Sequence, residues 1–78
     1  MMDRDQLIDL LVNKSIGYLE YDDANPNVGM GMWISDAVSL AEKDVLQEAQ
    51  RWNSQAALLL NFDSVRKTVV EKVRAKRS

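Results

Sequence analysis

Cysteine and histidine are absent from the 78 residues. Without thiols, disulfides and thiolate chemistry are excluded. Without imidazole, the commonest general base and the commonest transition-metal ligand are missing. Proline occurs once, as Pro26, and glycine three times, as Gly17, Gly29 and Gly31, so few positions are set aside for breaking regular structure. No apolar run approaches the roughly 20 residues needed to span a bilayer. The acidic opening Met1-Met2-Asp3-Arg4-Asp5 lacks the basic-then-apolar pattern of a signal peptide. A cytoplasmic protein with no membrane partner is the expectation. The Asn13-Lys14-Ser15 sequon has no role in that setting.

What is present suits one small domain spanning 1–78. Apolar residues make up 46% and charged residues 28%, a balance that supports a packed core rather than disorder. At this size, with nothing to staple it, such a core is marginal and depends on good helix packing or a second subunit. The net charge of −2 hides an asymmetry. Residues 1–50 carry ten acids against three bases, a net −7, and residues 51–78 carry seven bases against two acids, a net +5.

The longest regular pattern covers residues 35–62. Ile34, Val38, Ala41, Val45, Ala49, Trp52, Ala56 and Leu59 recur at steps of three and four, the spacing of one helical face. Ser35 suits the N-cap and Asp36 the first turn. An unbroken helix to Leu60 would be about 40 Å long. A compact chain of this size is only about 30 Å across. Either the helix breaks at Asn53-Ser54, or a second subunit covers the overhang.

Before it, Asp3 and Gln6 have the spacing of a capping box, opening a helix with Leu7, Leu10, Leu11 and Tyr18 on one face and Ile8, Val12 and Leu19 widening it. Its end is expected between Asn13 and Tyr21. Asp22 to Asn27, with Pro26 inside, is the clearest break. Residues 15–34 allow two readings, a helix plus a lead-in loop or a small β-hairpin around that break. After the central stretch, Asp63 suits the N-cap of a last helix carrying Val65, Val69 and Val73. Residues 74–78 are basic, lack apolar anchors and are expected to fray. The fold class is therefore all-α, three to four helices around a long central helix, with a possible hairpin at 15–34.

No set of residues implies a reaction, and no cofactor or metal is expected. Asp23-Asn25-Asn27 has the spacing of a calcium loop, but counted from Asp23 the required sixth-position glycine and twelfth-position glutamate are Val28 and Ile34. Gly29-Met30-Gly31 lacks the further glycine and lysine of a phosphate cradle. Methionine and tryptophan do suit adaptable protein contacts. The expected function is a non-enzymatic interaction protein, a small adaptor, inhibitor or regulatory subunit working through helix faces. Its candidate contact residues are Met30, Met32, Trp33, Leu40 and Leu58. Its expected partners are another protein and a second copy of itself, as a homodimer in which oppositely charged halves attract. The lesser alternative is a nucleic-acid-binding regulator using Arg66, Lys67, Arg74, Lys76 and Arg77. These cations scatter around the helix: Lys67 and Arg74 share a side while Arg66, Lys72 and Lys76 point elsewhere, and no aromatic is interleaved for base stacking.

Overall fold

The computed structural model describes residues 4–25, 31–52 and 63–77. They form three helices, α1 (Arg4–Ala24), α2 (Ile34–Trp52) and α3 (Asp63–Arg77), each packed against the other two. Among the described residues there is no strand. The all-α class is thus found.

α1 runs well past the expected end. Gly17 costs a helix interior about 1 kcal/mol relative to alanine. Beyond it, Leu19 is buried and Tyr18 packs on the core. Burying one leucine side chain contributes about 1.5–3 kcal/mol, so continuing through the glycine is favoured. The hairpin reading of 15–34 is corrected by the same helix. Residues 15–24 are helical and satisfy their backbone groups within α1, whereas a lone two-stranded hairpin is marginal in water. The helix ends where Asn25 closes it, its Nδ2 donating to the Tyr21 carbonyl at 2.8 Å and its N–H to the Asp22 carbonyl at 3.2 Å. Pro26 follows in the sequence and disfavours a helical conformation for Asn25.

The entry to α2 is fixed by two devices. Gly31 takes φ +79°, a left-handed conformation open to glycine at no steric cost. The N–H of Met32 donates to Asp22 Oδ2 at 2.9 Å. α2 then starts slightly earlier than expected. The Trp33 carbonyl accepts from the N–H groups of Asp36 and Ala37, both at 3.1 Å, so Trp33 takes the position expected of Ser35. Asp36 stays in the first turn, where its charge complements the positive end of the helix dipole. Ala37, Val38, Ala41 and Val45 are buried and Ile34 half-buried, as the spacing of the central stretch predicts. The choice between a break at Asn53-Ser54 and a continuous helix falls on residues 53–62, outside the described residues, as does any fourth helix there.

α3 begins at Asp63 itself, one residue before the start that an N-cap there implies, and buries Val65, Val69 and Val73. It does not fray from Arg74: the helix continues to Arg77, whose guanidinium lies 3.1 Å from an Asp23 carboxylate oxygen. Arg74, Lys76 and Arg77 in its last turn complement the negative end of the dipole. At its other end Arg66 grips Glu42 of α2 with two bonds, Nε to Oε1 at 2.9 Å and Nη2 to Oε2 at 2.7 Å.

Two links between α1 and α2, and one from α1 to the segment that leads into α2, give their relative direction. Lys14 pairs with Glu48, Tyr18 bonds Asp44, and Asp22 bonds Met32. Numbers rise along α1 as they fall along α2, so the two helices are antiparallel. The buried residues of α1 (Leu7, Ile8, Leu11, Val12, Ser15 and Leu19) span an arc of about 140°, wide enough to meet two neighbours. Ser15 sits at the middle of that arc with its hydroxyl donating to the Leu11 carbonyl at 2.6 Å. The organising element is therefore α1, not the longer pattern that follows it in the sequence.

Candidate protein-docking face

An α1–α2 pair has two outer grooves, and α3 occupies one of them. Glu42, which holds Arg66 of α3, and Asp44, which meets α1, are two residues apart and so about 200° apart around α2. The links to α3 and the Tyr18–Asp44 link therefore leave α2 on opposite sides. Among the described residues, the Asp44 side holds an open groove of ≈ 450 Å³, lined by Lys14, Gly17, Tyr18, Tyr21 and Asp44.

Its α1 wall follows from spacing. Residues 14, 17, 18 and 21 are at i, i+3, i+4 and i+7, one helical stripe. Gly17 in that stripe has no side chain, and a Cβ placed there would meet nothing within 4 Å, so the groove is open at its middle. Tyr21 projects from it, 65% exposed. The Tyr18 hydroxyl donates to Asp44 Oδ2 and spans the groove floor. That hydrogen bond, then burial, then the neighbouring carboxylate charge push the Tyr18 phenol above its usual pKa. Lys14 Nζ lies 3.8 Å from Glu48 Oε1 at the far end.

Two of the contact residues expected from sequence, Leu40 on α2 and Trp33 just before it, are not among the residues that line the groove. Leu40 is one turn before Asp44 on the same face, and Trp33 is seven residues before Leu40. Leu40 is partly exposed, and Trp33 is 76% exposed. Tyr21 and Trp33 adjoin the hydrogen-bonded pair Asp22–Met32, so chain geometry keeps their Cα atoms within about 15 Å of each other. Tyr21 lines the groove, and Trp33 and Leu40 are exposed beyond its lining residues. Met32, grouped with them by sequence, instead packs partly buried against the core. Met30 and Leu58 lie outside the described residues. Sequence reasoning missed Gly17 and Tyr21. Their i, i+4 spacing was available, but it carries meaning only once α1 is known to continue past Gly17.

The five basic candidates separate. Arg66 and Arg77 hold Glu42 and Asp23 within the molecule. Lys67, Arg74 and Lys76 are exposed, with Lys67 and Arg74 seven residues apart on one side of α3. Lys76 and Lys72 instead edge a separate cleft between α1 and α3 that also contains Asp9 and Asn13. A carboxylate in that cleft opposes phosphate. Among the described residues, no group of three or more acidic side chains could hold a metal ion, and no helix is long and apolar enough to cross a membrane. No protein family matches the chain, and no characterised protein or solved structure is detectably similar to it.

Proposed function

We propose that this chain is a non-enzymatic protein–protein interaction module, an adaptor, inhibitor or regulatory subunit that docks a partner on the open side of its α1–α2 pair. The observation that carries the reading is the pair of large exposed aromatics, Trp33 and Tyr21, the second of them lining a groove with an open middle. Tryptophan and tyrosine are the side chains most enriched where binding energy concentrates. Both are held at defined places, Tyr21 by the last turns of α1 and Trp33 by the Asp22–Met32 bond and the start of α2. Such anchors lose little freedom on binding.

Self-association belongs to the same reading. α3 carries six bases and two acids, a net +4, while α1 and α2 together carry a net −5. Arg66 and Arg77 of α3 are matched within the chain, and the exposed Lys67–Arg74 row lies opposite the buried valine face. A nucleic-acid role would use the same row with Lys76. It draws less support, because the neighbouring helices are acidic and Arg66 and Arg77 are engaged.

Affinity capture from the native host with wild-type and Tyr21→Ala/Trp33→Ala baits tests the docking face. Both side chains are mostly exposed, so the double variant is expected to keep its helical circular dichroism. It should lose a protein that the wild type retains. Identical retained proteins on both baits would sink the reading.

A further inference from the structure

We draw no further inference here: the strongest candidate, the groove between α1 and α2 lined by Lys14, Gly17, Tyr18, Tyr21 and Asp44, belongs to the docking face already described, and nothing among the described residues shows what covers it.

Discussion

Single residues account for much of how this small molecule holds its shape. Tyr18 ties α1 to α2 through Asp44, and the bond is stronger than one between neutral groups when the acceptor is a carboxylate. Its phenol is raised in the folded state, first by that bond and then by burial. A pKa raised on folding contributes stability that is complete below the unfolded value of about 10 and is lost as pH climbs through the folded value. Thermal melts of the wild type and Tyr18→Phe from pH 7 to pH 11 should therefore converge at the alkaline end. At pH 7 the variant should be less stable by about 1 kcal/mol. A gap that stays constant across the range would show that the hydroxyl contributes nothing pH-linked. Tyr18's place on an apolar face was legible from its spacing to Leu7, Leu10 and Leu11. Its partner was not, because Asp44 is 26 residues away and no local pattern joins them.

Helices and their ends show where local rules win and where they yield. At Gly17 the rule that glycine weakens helices yields to the leucine and tyrosine beyond it. Gly31 lies outside the helices, and its positive φ is a conformation L side chains avoid. The two glycines should thus respond oppositely to alanine. Gly17→Ala should raise stability by about 0.5–1 kcal/mol, because the added methyl meets open space and the unfolded chain loses freedom. Gly31→Ala should lower it by about 1 kcal/mol. Urea unfolding of the three proteins with a shared m-value reads both, and the same sign for the two variants would be the wrong result. Helix α3 was legible in the sequence almost to the residue, because an aspartate followed by three valines at steps of four has one simple reading. Its last turn was not. The bases from Arg74 to Arg77 look like a solvated tail until Asp23 supplies a partner for Arg77 from the far end of the first helix. Surface ion pairs of this kind are worth about 0–1 kcal/mol each. The buried valines, at about 1.5–3 kcal/mol apiece, hold the helix, and the ion pairs orient it.

Across the whole molecule, the opposed charges of the two halves are first of all an internal matter. A basic helix lies on an acidic pair, and Arg66–Glu42 and Arg77–Asp23 are the contacts. The proposal of self-association consequently depends on the cations those pairs leave over. Sedimentation equilibrium at micromolar protein and 20 mM NaCl should give about twice the 8.9 kDa chain mass. Lys67→Glu/Arg74→Glu should give the single mass, and 500 mM NaCl should shift the wild type the same way. A wild type that is strictly monomeric at low salt removes homodimerisation while leaving the docking groove in place.

The sequence by itself determined the helical class, the valine face of α3, the buried stripe of α2 and the missing chemistry of thiol and imidazole. These follow from periodicity and composition, which act within a few turns of chain or need no geometry at all. Tertiary structure decided the rest: that α1 continues through Gly17, that it carries both other helices, and that Tyr21 lines an open groove with Asp44 while Met32 turns to the core. Each of these depends on which residues meet across 10 to 54 positions of sequence. Packing energy and charge pairing are settled between helices at that range, where local propensity has no say.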